Sequence, residues 1–217
     1  MELDNYTVDE ALEIVHEYMQ NDRLNTIGIV TMQMLMLAGE DEQWKIYMKD
    51  LDMSIIGETE ILTAAGIEAD GTLYEEIEAN EFIARLFWHL IQSRSRIFVL
   101  GEAENEVETL KKYLQETYPG IQLAGSAVVE SLDEAGVDSL LNEINSETTD
   151  VIVSGLKGTR QDKFVMENRS KISAKIWLSL GEHPAVQNEA GIKTSWWGSL
   201  LKKSTFKRMV TKYRNEQ

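Results

Sequence analysis

The stretch DVIVSGLKGTRQDKF, residues 150–164, has the pattern of a strand, a glycine-containing turn and a helix. The β-branched run 151–153 predicts a short strand that is buried on both faces. After the turn, Thr159 is the predicted N-cap of the helix, with Asp162 as a weak capping partner three residues later. Free amide groups and the helix dipole at such a junction attract anions, and the geometry suits a diphosphate.

The same junction also has a purely structural interpretation, because α/β proteins contain several such turns and most of them bind nothing. Gly155 and Gly158 do not form a dinucleotide fingerprint, and no Gly-Lys-Ser/Thr follows as in a P-loop. The local pattern therefore leaves both interpretations open.

Strand and helix patterns alternate along the chain, which predicts an α/β fold with a Rossmann-like, mostly parallel sheet and helices on both faces. Ligands of such sheets sit beyond the carboxyl ends of the strands, where Gly101, Gly125, Gly155 and Gly181 are predicted to fall. The first helix is predicted to begin with Thr7 as N-cap and Glu10 as its capping partner. Predicted strands are 26–31, 53–56, 97–101, 121–124, 151–154 and 175–180; predicted helices are 7–19, 32–38, 42–49, 61–65, 73–92, 103–117, 132–145 and 159–168.

The length of 217 residues suits one α/β domain over 1–191, with lobes of about 1–95 and 96–191, followed by a tail over 192–217. No apolar run reaches the roughly 20 residues that span a bilayer. The acidic N-terminus lacks the features of a signal peptide, and the chain has no cysteine. These features indicate a cytoplasmic protein without disulfides or thiolate chemistry.

The net charge of −16 argues against nucleic acid as a partner. The tail carries seven basic residues and one acidic residue, which makes it +6 and leaves −22 for the preceding 191 residues. Its apolar and basic side chains predict a short basic amphipathic helical segment that contacts an anionic membrane surface. Docking of the same aromatic residues onto the main domain is the alternative. The predicted membrane contacts are Trp196, Trp197, Lys202, Lys203, Lys207 and Arg208.

Metal binding is not expected from the sequence. His16 and His89 have no second histidine or cysteine at the spacing of a metal site, and the chain has no Asp-x-Asp to bridge a metal and a diphosphate. We therefore expect a metal-independent protein without cofactors.

Several segments, in order, resemble the WecG/TagA/CpsF family of glycosyltransferases, which move N-acetylmannosamine-type sugars from UDP to a lipid-linked acceptor. The similarity runs from about residue 6 to residue 191. Its last segment, 155–164, resembles the family signature GlGsPkQEkW and retains Gly155 and Gln161. The other matching segments are 6–11, with the family's leading helix; 30–33, with its strand ending in Thr-x-Asn; and 98–101 with 118–121 and Gly125, with its fLLGg and YPglkivG stretch.

The resemblance implies attack of an acceptor hydroxyl on the anomeric carbon of a UDP-N-acetylhexosamine. It also implies a polyprenyl-linked acceptor, a location on the inner face of the cell membrane, and a homo-oligomer. The family's Pro-Asp-Gly, whose Asp is regarded as the base, is replaced by Ile-Gly-Glu ending at Glu58, which becomes the candidate base. Candidate substrate-binding residues are Thr31, Gln33, Gly101, Gly155, Lys157, Arg160 and Gln161.

Two departures keep a second hypothesis open. The catalytic Asp is absent, and Glu76 stands where the family pattern Arg-x-x-Gly-x-Asp has its cation. The alternative is a catalytically inactive relative that binds a nucleotide-sugar or a partner protein.

Overall fold

The computed structural model describes residues 3–67, 71–129 and 132–180, which contain six strands. Every pair of neighbouring strands is parallel, and the order across the sheet is 2-1-6-5-3-4 in chain numbering. The α/β, Rossmann-like prediction is therefore confirmed. The strands are β1 (Asn25–Val30), β2 (Met53–Ile56), β3 (Arg96–Gly101), β4 (Gln122–Val128), β5 (Val151–Ser154) and β6 (Ile176–Ser179).

Nine α-helices fall within the described ranges, and a 3-10 turn over Arg169–Lys171 follows the last one. The first helix begins as predicted: Thr7 and Glu10 form a complete capping box. The helices are α1 (Val8–Gln20), α2 (Met32–Glu40), α3 (Glu42–Lys49), α4 (Thr59–Ala65), α5 (Gly71–Glu78), α6 (Glu81–Gln92), α7 (Glu104–Thr117), α8 (Glu134–Ser146) and α9 (Gly158–Asn168).

The sheet separates two apolar cores. Side chains of a strand alternate between its faces, so in β3 Ile97 and Val99 join one core while Phe98 and Leu100 join the other. Helices α1, α6 and α7 cover the first face, and α2, α3, α4, α8 and α9 cover the second. Both faces are covered, as parallel sheets require, which explains why the strands read as continuous apolar runs.

The strand register brings the carboxyl ends of the strands to one edge, called here the carboxyl edge. Val30 lies opposite Ile56, and Ser154 lies opposite both Leu100 and Ser179. The turns that follow β1, β2, β3 and β5 therefore meet along this edge. This is where ligands of open α/β sheets bind.

The predicted single helix 73–92 is wrong, because the chain forms two helices, α5 and α6. Asn80 between them has φ 52° and ψ 38°, a left-handed conformation that ends one helix and redirects the next. Helix α6 buries five side chains, whereas α5 buries none fully. The apolar spacing continues across the break, so periodicity alone does not show it.

Two further predictions are corrected. Strand β4 continues to Val128, so Gly125 lies inside the strand, where a Cβ would approach the ring of Phe98 to 2.5 Å. Helix α9 has Lys157 as its N-cap instead of Thr159 and begins at Gly158, whose φ of 50° lies in the left-handed region that glycine tolerates. The side chains of Thr159 and Asp162 lie outside the described part of the chain. So do Gly181 and the whole predicted tail.

Candidate functional site

Three of the predicted substrate-binding residues line one small cavity on the carboxyl edge. Gln33 comes from the first turn of α2, and Lys157 and Gln161 come from the start of α9. The cavity has a volume of about 30 Å³, room for a water-sized group. Its remaining lining is Met34, Leu37, Trp44, Leu156, Gly158 and Ser179.

Gln161 is buried, with only 1% of the residue exposed, and a hydrogen bond fixes the orientation of its side chain. Its side-chain carbonyl oxygen accepts a hydrogen bond of 3.1 Å from the hydroxyl of Ser154, at the end of β5. That hydroxyl in turn accepts from the amide of Leu156. With its oxygen bound to Ser154, the side-chain NH₂ group of Gln161 is the part directed to other partners.

Thr31 and Glu58 are linked to the same site through the first turn of α2. Thr31 is the N-cap of α2, and its hydroxyl accepts from the Met34 amide at 3.3 Å. A carboxylate oxygen of Glu58 accepts from the Met32 amide at 3.2 Å. The carboxylate of Glu58 therefore lies at the N-terminus of α2, where the helix dipole favours a negative charge.

The position of Glu58 also fits a structural role, since it is the N-cap residue of α4. It makes no side-chain capping bond to that helix. Glu58 follows β2 and Lys157 follows β5, three strand spacings or roughly 14 Å apart across the sheet. Thr31 follows β1, and Ser179 ends β6. These two strands lie between β2 and β5, so both residues lie on the edge between Glu58 and Lys157.

The N-terminus of α9 is occupied by carboxylates of the chain itself. The amide of Lys157 donates to Glu102 at 3.0 Å, and the guanidinium of Arg160 lies 3.8 Å from the other oxygen of Glu102. The ammonium of Lys157 pairs with Glu106 at 2.6 Å. Both cations predicted to hold a diphosphate therefore already face a carboxylate.

Sequence reasoning missed Glu102 and Glu106, and only the strand order could have found them. They follow β3, which pairs directly with β5, so the turn after one strand lies against the turn after the other. Gly101 and Gly155 mark these two strand ends, and the amide of Gly155 donates to the carbonyl of Leu100 at 2.8 Å.

A second small cavity lies beyond the end of β2, between α1, α5 and α6. It includes Glu76, which replaces the cation of the family pattern. A carboxylate oxygen of Glu76 accepts from the amide of Val8 at 3.0 Å, so the residue caps the N-terminus of α1. The anion at this position thus stabilises a helix start.

A larger cavity is a groove of about 770 Å³ between α8 and α9. The α8 wall is acidic, the α9 wall carries basic residues and Glu167, and Val129, Val137 and Phe164 supply the apolar lining. Arg160 belongs both to this groove and to the start of α9, so the groove adjoins the site described above. The charged lining comprises Asp133, Glu134, Asp138 and Glu167 with Arg160, Lys163 and Lys171.

Within the described ranges, no group of three or more His, Cys, Asp or Glu side chains is arranged to hold a metal ion. None of the described helices has the length and apolar character needed to cross a membrane. Metal independence stays a prediction.

Comparison with known proteins agrees with the fold and the motifs. The model of a family described as "Glycosyl transferase WecG/TagA/CpsF family" matches residues 1–193. A comparison with curated proteins finds no significant match. The match to the family model covers most of the chain and includes every described strand and helix. The chain therefore belongs to the WecG/TagA/CpsF family of glycosyltransferases.

Proposed function

We propose that this protein transfers an N-acetylhexosamine of the N-acetylmannosamine type from UDP to a polyprenyl-linked sugar acceptor. The reaction serves the synthesis of a cell-surface polysaccharide or teichoic acid. The observation that carries the proposal is the meeting of Gln33, Lys157 and Gln161 at one cavity of the carboxyl edge, with Glu58 farther along the same edge. Family membership supplies the reaction class.

The proposed reaction is a single displacement. Glu58 accepts the proton of the acceptor hydroxyl, whose oxygen forms a bond to the anomeric carbon of the donor. The bond between that carbon and the β-phosphate oxygen breaks, and UDP leaves with the electron pair. The N-terminus of α9, Lys157 and Arg160 stabilise the charge that develops on the diphosphate. Gln33 and Gln161 orient the sugar by hydrogen bonds, and Thr31 keeps the start of α2 in place.

The nucleoside of the donor fits the groove between α8 and α9. The groove has ligand-sized volume and shares Arg160 with the proposed diphosphate position. Its apolar lining suits a base, and its polar walls suit a ribose. The small cavity at Gln161, in contrast, is too small for a hexose in this conformation, so donor binding requires side chains at the carboxyl edge to move.

We further propose that the protein acts on the cytoplasmic face of the cell membrane. Trp196, Trp197 and the basic residues of the tail would hold it to anionic lipid near its acceptor. A homo-oligomer is proposed from the family resemblance.

A product assay tests the transfer. The full chain is incubated with UDP-N-acetylmannosamine and a polyprenyl-diphosphate-linked N-acetylglucosamine, and the product is identified by mass spectrometry. We expect Glu58→Gln to lower kcat by about 100-fold because it removes the base, while the Kd for UDP stays unchanged. Glu60→Gln is the matched control, since Glu60 is an exposed carboxylate in the first turn of the same helix. Equal loss in both variants would remove Glu58 from the mechanism.

The second candidate function is an inactive relative that binds a nucleotide-sugar or a partner enzyme. The specific observation in its favour is the pairing of Lys157 and Arg160 with Glu102 and Glu106, which leaves the diphosphate position already filled. Binding of UDP-sugars without product, unchanged in Glu58→Ala, would establish this second function. Absence of any nucleotide binding would exclude both the transferase and a relative that binds a nucleotide-sugar.

A further inference from the structure

Two carboxylates of the turn between β3 and α7 occupy the positions that an anionic ligand would take at α9. Glu102 accepts the Lys157 amide at 3.0 Å, as a phosphate oxygen does at a helix N-terminus. Glu106 accepts the Lys157 ammonium at 2.6 Å. The start of α9 thus binds two carboxylates of the same chain, those of Glu102 and Glu106.

The contacts at this point pair residues of opposite charge. Lys157 and Arg160 contribute two positive charges, and Glu102 and Glu106 contribute two negative ones. The side chains of Lys157 and Glu106 are 31% and 24% exposed, so solvent screens their interaction incompletely. A diphosphate that approached this point without displacing the carboxylates would meet their repulsion.

The internal contact is also incompletely satisfied. The second carboxylate oxygen of Glu106 is buried and has no hydrogen-bond partner among the described residues. A buried acceptor without a donor is unfavourable, and more so when it is charged. A ligand that leaves Glu106 exposed to water can therefore displace the contacts of Glu102 and Glu106 with the start of α9.

We infer that Glu102 and Glu106 weaken ligand binding at the anion site of α9, because they compete with the donor diphosphate for the amide and the ammonium of Lys157 and for Arg160. Donor binding displaces both carboxylates, and their charge sets the affinity for the diphosphate. The inference rests on the proposed function only for the identity of the donor. The competition itself concerns any pyrophosphate group.

Isothermal titration of the full chain with inorganic pyrophosphate, and separately with UDP, tests this inference. The double variant Glu102→Gln/Glu106→Gln keeps the size of the side chains and removes both charges. We expect it to bind pyrophosphate at least about tenfold more tightly than the unchanged chain, since charge-assisted bonds are replaced by weaker neutral ones. Adding Lys157→Gln should abolish the gain.

The control variant is Glu104→Gln/Glu108→Gln, which makes the same change in net charge on exposed positions of α7. A control gain equal to that of the double variant, or no gain in either, overturns the inference. The single variants Glu102→Gln and Glu106→Gln, each checked by thermal unfolding, provide the same comparison with a smaller disturbance.

The outcomes separate this inference from the proposed function. A gain for pyrophosphate in a chain that transfers no sugar supports the competition and contradicts the proposed reaction. Sugar transfer by a chain whose double variant shows no gain supports the reaction and overturns the competition.

Discussion

Polar side chains at the carboxyl edge are fixed by neighbours that lie far away in sequence or on another element. Ser154 orients Gln161 through a hydrogen bond. Glu102 accepts a hydrogen bond from the Lys157 amide at the start of α9 and pairs with the Arg160 guanidinium. Each of these side chains is placed by a bond, so its role depends on that bond as much as on residue type. Single substitutions can therefore separate binding from packing.

Gln161→Ala should weaken both folding and donor binding. Removing the amide leaves the buried hydroxyl of Ser154 without its partner, so the free energy of unfolding should fall by about 1–2 kcal/mol. The KM for the UDP-sugar should rise, because the cavity loses its NH₂ donor. Ser154→Ala is the control, since it breaks the same bond and leaves Gln161 in the cavity. An unchanged KM in Gln161→Ala would contradict a role of Gln161 in donor binding.

Tyr18 makes the stability of the folded protein depend on pH in the alkaline range. Burial, and secondly the carboxylate of Asp52, raise the pKa of Tyr18 from 10.0 to about 12. The folded state thus keeps the phenol proton where the unfolded chain has lost it. The resulting stability is fully present below pH 10 and is lost as the pH rises to about 12.

Tyr18→Phe should remove this part of the alkaline destabilisation. Urea unfolding at pH 9 and pH 11.5 should show a smaller fall in the free energy of unfolding for Tyr18→Phe than for the unchanged chain. The variant also loses the hydrogen bond of 2.8 Å to the Asp52 carbonyl, so it should be less stable at pH 9. Tyr74→Phe, at a side chain that is 48% exposed, serves as the control. Identical falls in Tyr18→Phe and the unchanged chain would contradict the prediction.

At the scale of elements, the break between α5 and α6 is the main departure from the sequence pattern. Apolar residues recur with helical spacing through 73–92, yet Asn80 takes a left-handed conformation. Asn is the residue that best tolerates this conformation after glycine. Glu76, in α5, lies against the start of α1, where it accepts a hydrogen bond from the Val8 amide.

Substitutions at Asn80 distinguish two helices from one. Asn80→Ala should lower the free energy of unfolding by about 1 kcal/mol, because alanine lacks the short polar side chain that lets asparagine tolerate the left-handed conformation. Asn80→Gly should keep or slightly raise it. A continuous helix would give the reverse order, since alanine is the better helix former by about 1 kcal/mol. Urea denaturation of the three chains decides between them.

At the scale of the whole molecule, charge is distributed unevenly along the chain. The net charge is −16, while the tail over 192–217 is +6. The last described strand, β6, ends at the carboxyl edge between β1 and β5, so the chain leaves the sheet beside the candidate site. A tail that binds anionic lipid would bring this edge towards a lipid-linked acceptor.

Neutralising the tail should release the protein from anionic vesicles. A full chain with Lys202, Lys203, Lys207 and Arg208 replaced by Gln loses four charges, each worth about 1 kcal/mol at an anionic surface. The affinity for phosphatidylserine vesicles at low salt, measured by flotation, should therefore fall by roughly a thousand-fold. The matched control replaces Lys45, Lys49, Lys112 and Lys163. Equal flotation of both variants would contradict the membrane role.

Much of the fold could be predicted from local sequence, because each element is specified by residues close to one another. The bounds of β2, α3 and β5 agree with the prediction, and Thr7 caps α1 as expected. Gly125 could not be placed correctly, since its role depends on Phe98 in a neighbouring strand. Local pattern does not contain such contacts.

The sequence by itself determined the alternation of buried strands and amphipathic helices, the family, and the residues Gln33, Lys157 and Gln161 that meet at one cavity. The tertiary structure alone decided that β3 lies beside β5 and brings Glu102 and Glu106 against the start of α9. The physical reason is range. Hydrogen bonding within a helix and burial along a strand act over a few residues, whereas the charge at a helix end depends on whichever chain segment the sheet order places there.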